Sequence, residues 1–80
     1  MAVYVKFFPL LAKRAASKQE NLTVPYTKGM RPLDIIHAEG FGDIDAEAIM
    51  VLVNNSQAEL DQPIHDDDRL EFMIGISGGT

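Results

Sequence analysis

The sequence contains no cysteine and no tryptophan. Without cysteine, the chain has no disulfide framework, no thiolate metal site and no cysteine nucleophile. It also has no run of about eighteen consecutive apolar residues, the length that spans a bilayer. Its first residues do not show a charged region followed by an apolar one. We therefore expect no membrane span, no secretion signal and a location in the cytoplasm.

Positive charge is also scarce. Lys and Arg together number 7, Asp and Glu number 12, and the net charge is −5. Proteins that bind nucleic acid carry clusters of Lys and Arg that contact phosphates, so we expect no nucleic-acid partner. The charge favours a basic surface on a partner protein. The alternative is that it only keeps a small protein soluble.

Patterns for metal binding and catalysis are weak as well. Asp66, Asp67 and Asp68 are consecutive. Cation sites built from oxygen ligands need spaced ligands that converge from a looped backbone, so a solvated turn is predicted here. His37 and His65 lie far apart, without the spacing of a metal or catalytic motif. We expect no bound metal, no bound cofactor and no enzyme activity of the chain by itself.

A chain of 80 residues is long enough for one small domain. Apolar alternation predicts its strands, and good helix formers bounded by proline and glycine predict its helices. The predicted strands span residues 2–8, 20–26, 49–53, 57–60 and 69–76, and the predicted helices span residues 10–18 and 32–39, with Gly40 as a cap. The connection between the second helix and the strand at 49–53 is predicted to be irregular, with one helical turn near 45–48 and with Phe41 and Ile44 as apolar anchors.

This order of elements is that of a mixed α+β domain in which one main helix packs on a sheet. The first and last strands can lie side by side at the sheet centre. Pro25 places the second strand at an edge, because proline cannot donate a hydrogen bond to a neighbouring strand. Ile64 is expected in the core, and Asn54 and Asn55 are expected in left-handed turn geometry.

Gly78 and Gly79 lie just before Thr80 and closely follow the last predicted strand. Two residues without Cβ form a thin tether that can enter a narrow tunnel and bring a carboxyl group to a nucleotide. The alternative is an ordinary flexible terminus, where glycine is common.

One face of the predicted sheet collects apolar side chains away from the core. Such a cluster is expected to be a docking patch, because exposed apolar patches mark interaction surfaces. Its expected members are Tyr4, Met50, Leu52 and Met73. The alternative is that the helix predicted at 10–18 covers them.

Several segments together resemble the ubiquitin-like sulfur carriers of the ThiS/MoaD family, which serve thiamine and molybdopterin biosynthesis. These segments are Val5-Lys6-Phe7-Phe8 with Leu11 and Ala12, Val51-Leu52-Val53-Asn54, the stretch from Ile64 to Phe72, and Gly78-Gly79. Two positions depart from the family pattern. Asp67 stands where glycine is usual, at a turn that needs a positive φ, and Thr80 follows the glycine pair that normally ends the chain.

The resemblance implies a β-grasp domain over residues 1–76 and a flexible tail at 77–80. The implied sheet is mixed and has four to five strands, with one main helix on it and a short helix between the first two strands. That short helix is more similar to the molybdopterin synthase small subunit than to the thiamine carrier.

The resemblance also implies chemistry at the tail. An E1-like activating enzyme would use ATP to adenylate Gly79, Gly78 would give the tail flexibility, and sulfur would replace AMP to form a thiocarboxylate. The implied recipients are the large subunit of a synthase, with molybdopterin favoured, or a thiazole synthase. A peptidase would first remove Thr80. A ubiquitin-like modifier or a non-covalent interaction module is the alternative.

Overall fold

A computed structural model describes residues 1–75 of the chain. The strands are β1 (Ala2–Phe7), β2 (Asn21–Pro25), β3 (Ile49–Val53), β4 (Ser56–Ala58) and β5 (Arg69–Ile74). The helices are α1 (Pro9–Arg14), α2 (Pro32–Ala38) and α3 (Asp43–Ala46). Gly78, Gly79 and Thr80 lie outside the described residues, as do the predicted tail at 77–80 and the predicted strand end at residue 76.

The five strands form one mixed sheet in the order β2-β1-β5-β3-β4. β1 and β5 are parallel, and the other neighbouring pairs are antiparallel. Tyr4 lies beside Arg69 and Phe7 lies beside Phe72, so the two parallel strands run to the same end of the sheet. The predicted central pair is confirmed, and β2 with Pro25 lies at an edge as predicted.

The core lies between one face of the sheet and the helices. Phe7 and Phe72 stack there with ring centroids 5.3 Å apart, and the ring of Phe41 lies 6.2 Å from that of Phe7. Ile64 is buried, as predicted. Burial of each such side chain stabilises the fold by about 1.5–3 kcal/mol relative to exposure.

The chain reverses direction at residues that tolerate left-handed backbone geometry. Asn54 and Asn55 have φ angles of 52° and 71° and join β3 to β4, as predicted. Gly40 has a φ of 92° and follows Glu39, the C-cap residue of α2, and its N–H donates to the carbonyl oxygen of His37 at 3.0 Å. The predicted glycine cap is therefore confirmed.

The helix predicted at 10–18 is shorter than expected. α1 ends at Arg14, and Ala15 is extended with a ψ of 150°. The N–H of Ala16 donates to the carbonyl oxygen of Glu39 at 2.9 Å, and the N–H of Ser17 donates to the side-chain carboxylate of Glu39 at 2.9 Å. These bonds to the end of α2 replace the helical hydrogen bonds that the local sequence would allow.

The prediction for the connection before β3 was partly wrong. Phe41 is buried as expected, but Ile44 is 84% exposed and anchors nothing within the described residues. The short helix begins two residues earlier than predicted, at Asp43, and none of its residues is fully buried. Ala46 packs on the core, and Ile44 lies away from it.

Candidate docking face and tail exit

One face of the sheet is left uncovered by the described helices. Leu11 and Ala12 of α1 belong to the core on the opposite face, together with Ile35 and Ile36 of α2. Ala46 of α3 packs against the same core. The alternative that the helix after β1 covers the predicted docking residues is therefore wrong for residues 1–75.

The four predicted docking residues lie on this uncovered face, which we call the open face. Met50 of β3 is paired with Met73 of β5, and Leu52 lies two residues further along β3. All three side chains are partly exposed. Tyr4 is 39% exposed and lies across β5 from them, paired with Arg69. The structure thus gathers three of the residues into one apolar cluster and sets Tyr4 apart.

Charged side chains border this cluster on the open face. The guanidinium carbon of Arg69 lies 5.2 Å from the ring centroid of Tyr4, in cation–π geometry. Glu71 lies between Lys6 on β1 and Leu52 on β3 in the strand register. An apolar centre with a polar border is the usual anatomy of a protein–protein interface.

The chain leaves the sheet at the end of β5. Ile74 is paired with Ile49 of β3, and the N–H of Gly75 donates to the carbonyl oxygen of Ala48 at 2.8 Å. This bond holds the last described residue beside the start of β3. Gly78 and Gly79 follow after Ile76 and Ser77.

A groove beside this exit was not predicted from the sequence. It has a volume of about 270 Å³ and lies between α1, α3, the start of β3 and the end of β5. Its lining includes Leu11, Arg14, Phe41, Ile44, Ile49 and Ile74. We call this the exit groove. The sequence analysis expected Ile44 to be an apolar anchor, although the acids Asp43 and Asp45 on either side of it are a signal of an exposed segment.

The polar clusters are explained by local structure. Asp66 Oδ1 accepts from the backbone N–H of Ala2 at 2.8 Å, and Asp68 Oδ1 accepts from the amide nitrogen of Asn54 at 2.9 Å. His37 Nε2 lies 2.9 Å from a carboxylate oxygen of Asp43. Within residues 1–75, no group of three or more acidic or histidine side chains is arranged to hold a metal ion.

The shifted pKa values belong to a pair at the start of α2. Arg31 donates to Asp34 through Nη2 at 2.8 Å, and its backbone N–H donates to the same carboxylate at 2.8 Å. The side-chain hydrogen bond lowers the pKa of Asp34 below 3.8 and raises the pKa of Arg31. This exposed pair fastens the helix start and lies on neither the open face nor the exit groove.

Comparison with known proteins places this geometry among solved structures. No protein-family model and no curated protein matches the sequence. SAMP1, the small archaeal modifier protein 1 of Haloferax volcanii, is 24% identical with a TM-score of 0.72, over 99% of this chain and 100% of that one. A putative molybdopterin converting factor subunit 1 from Pyrococcus furiosus is 19% identical with a TM-score of 0.68, over 95% and 99%.

A third similar structure comes from the complex of subunits 1 and 2 of the molybdopterin-converting factor from Helicobacter pylori. It is 20% identical with a TM-score of 0.62, over 99% of this chain and 100% of that one. Within residues 1–75, no helix is long and apolar enough to cross a membrane.

The three similar structures are ubiquitin-like proteins of the ThiS/MoaD type. The chain therefore has the β-grasp fold of the ThiS/MoaD-like proteins, as the resemblance in its sequence implied.

Proposed function

We propose that this protein is a sulfur carrier whose Gly79 carboxylate is adenylated and then converted to a thiocarboxylate. The supporting observation is the position of β5, which is bonded to β1 on one side and to β3 on the other. A strand that is hydrogen-bonded on both sides holds the residue from which the tail begins in a fixed position. Gly79 lies four residues beyond the last described residue, Gly75.

The proposed chemistry takes place at one carboxylate. An oxygen of Gly79 attacks the α-phosphorus of ATP, pyrophosphate leaves, and an acyl-adenylate forms. A nucleophilic sulfide then displaces AMP and leaves a thiocarboxylate. Its sulfur adds to an unsaturated, electrophilic carbon of the acceptor molecule, and the electron pair displaced from the π bond takes up a proton from water. Water hydrolyses the resulting acyl–sulfur bond, so that sulfur stays on the acceptor and the carboxylate is restored.

The chain supplies a carboxylate and docking surfaces in this scheme, and other proteins supply catalysis. The activating enzyme binds the ATP, while the carrier itself binds no cofactor and is not an enzyme. Glycine at both tail positions lets the nucleotide approach closely, because neither residue carries a Cβ. We propose the reducing cytoplasm as its location.

Molybdopterin synthesis is the pathway that we favour, and thiamine thiazole synthesis comes second. The support is that two of the similar structures are named as molybdopterin converting factor, one of them in complex with subunit 2. The partners that we propose are an E1-like activating enzyme and the large subunit of a synthase or a thiazole synthase. Because Thr80 follows Gly79 in the sequence, a peptidase must first expose the Gly79 carboxylate.

A second candidate is a ubiquitin-like modifier whose tail joins the lysines of other proteins. It is favoured by the match to the small archaeal modifier protein 1. A non-covalent interaction module of the same fold is the remaining alternative. Both the carrier and the modifier would use an adenylated Gly79, so they differ in what attacks the adenylate.

Intact mass spectrometry separates these candidates. Protein ending at Gly79 is incubated with its cognate activating enzyme, ATP and a sulfide source. A carrier gains the mass difference between one sulfur and one oxygen atom, whereas a modifier becomes attached to other proteins when cell extract is added. The variant Gly79→Val is the control, because its branched side chain obstructs the carboxylate. If the protein ending at Gly79 and its Gly79→Val variant both keep their original mass, the sulfur-carrier proposal is contradicted.

A further inference from the structure

We infer that the exit groove is a second docking site, into which the activating enzyme inserts an apolar side chain from the rim of its tail-binding pocket. This inference rests on the proposed function, because it assumes that an enzyme encloses the tail. It concerns the helical side of the tail exit, whereas the docking patch predicted from the sequence lies on the open face.

The short tail limits where the enzyme can lie. Four residues separate Gly75 from the end of Gly79, and fully extended they reach about 14 Å. An enzyme that encloses the last glycines and a nucleotide must therefore close its pocket mouth around Gly75. Ile74 directly precedes Gly75 and lines the exit groove, so the groove would lie next to the rim of the enzyme's tail-binding pocket.

The groove presents apolar surface that the described residues do not cover. Ile44 is 84% exposed and Ile74 is 41% exposed, and both line the groove together with the buried Phe41. Isoleucine is usually buried, so two exposed isoleucines on one groove form an unusual surface for a chain of this size. The groove volume of about 270 Å³ exceeds the roughly 150 Å³ that holds a benzene ring.

The charges at the groove favour an apolar occupant. Arg14 and Asp45 line the groove, and they pair with each other at 3.3 Å. The remaining lining residues are uncharged. A charged side chain would lose water there without finding an unpaired opposite charge, whereas an apolar one would bury surface against Ile44 and Ile74.

The test compares two substitutions that add the same charge at opposite ends of the sheet. Ile44→Asp places a carboxylate in the exit groove. Thr27→Asp places one on an exposed residue beyond β2, beside the start of β1 and far from the tail exit. Protein ending at Gly79 is titrated into the purified activating enzyme by calorimetry without ATP, and ATP–pyrophosphate exchange and thermal unfolding are measured separately.

We expect Ile44→Asp to weaken binding at least tenfold, in the range of a hot-spot substitution, and to raise the carrier KM to a similar extent. Its Tm should match that of the wild type, and Thr27→Asp should bind normally. Equal binding by both variants overturns the inference. A Tm that falls only in Ile44→Asp also overturns it, because the weaker binding would then come from a damaged fold and not from a filled groove.

The two proposals fail separately. If the wild type binds the enzyme and Ile44→Asp does not, but no pyrophosphate exchange occurs, the groove is supported and the sulfur-carrier proposal is contradicted. If exchange occurs and Ile44→Asp leaves both binding and KM unchanged, the carrier proposal stands and the groove proposal fails.

Discussion

Asp67 occupies a backbone conformation that suits glycine. Its φ is 69°, and its N–H donates to the carbonyl oxygen of Ala2 at 2.8 Å, which closes the turn before β5 against the start of β1. The family resemblance in the sequence implies a positive φ at this position, and the structure confirms it. Asp tolerates the conformation better than most residues but still adopts it at a cost.

We therefore expect Asp67→Gly to raise the free energy of unfolding by about 0.5–1 kcal/mol, since relief of the left-handed strain outweighs the added freedom of the unfolded chain. Urea unfolding at neutral pH measures the change. The matched control is Asp66→Gly, which removes the carboxylate that accepts from the N–H of Ala2 at 2.8 Å. That control should lose stability, and a loss in both variants contradicts the argument.

At the scale of the element, α2 is fastened at its first turn by a single carboxylate. Asp34 accepts from the backbone N–H of Arg31 at 2.8 Å and from its guanidinium at 2.8 Å. An acidic side chain in the first turn also interacts favourably with the helix dipole. The buried residues Ile35 and Ile36 follow directly, so this turn sets how α2 enters the core.

The lowered pKa of Asp34 predicts a dependence of stability on pH. A carboxyl whose pKa is lower in the folded state contributes stability above its unfolded value of 3.8, and this contribution is lost as the pH falls through the folded pKa. Asp34→Asn should lower the Tm by a few degrees at neutral pH. The deficit should shrink below pH 3.8, as the wild-type carboxyl becomes protonated.

Thermal unfolding of both proteins across this pH range measures the effect. Glu59→Gln serves as the control, because Glu59 is exposed and lies outside the helices; its substitution should change the Tm little across this pH range. A deficit for Asp34→Asn that stays constant as the pH falls would show that the helix start does not depend on the charge of Asp34.

At the scale of the whole molecule, the two faces of the sheet differ in what covers them. One face binds the helices and holds the core, and the open face keeps Met50, Leu52 and Met73 partly exposed in one cluster. Methionine adapts its shape to different partners. Such a surface would suit the carrier that we propose, which has to bind an activating enzyme and then a synthase.

Leu52→Lys tests this face. Leu52 is paired with Glu71 across the sheet, so a lysine gains an opposite charge there and the fold should be kept. We expect binding to the activating enzyme to weaken roughly tenfold or more, because an apolar centre is replaced by a charge. The control is Gln57→Lys on β4, which lies on the other side of Leu52 and is already polar and exposed. Calorimetry that finds equal affinities for both variants contradicts the docking role of the open face.

The sequence by itself determined the element order, the central pairing of β1 and β5, the edge position of β2 and the turns at Gly40, Asn54 and Asp67. The elements, the edge position and the turns at Gly40 and Asn54 depend on local signals, such as alternation, a missing donor in proline or tolerance of positive φ. The central pairing followed from the order of the elements, and the positive φ of Asp67 followed from the family resemblance. The apolar docking residues on the open face followed from the same alternation, although their binding role stays a prediction.

Only the tertiary structure decided how far α1 extends and which apolar side chains remain uncovered. α1 ends at Arg14 because Glu39, distant in sequence, accepts the next backbone N–H groups. Ile44 is exposed because the short helix that carries it packs on the core through Ala46. Burial is a property of contacts between distant segments, and no local pattern contains it.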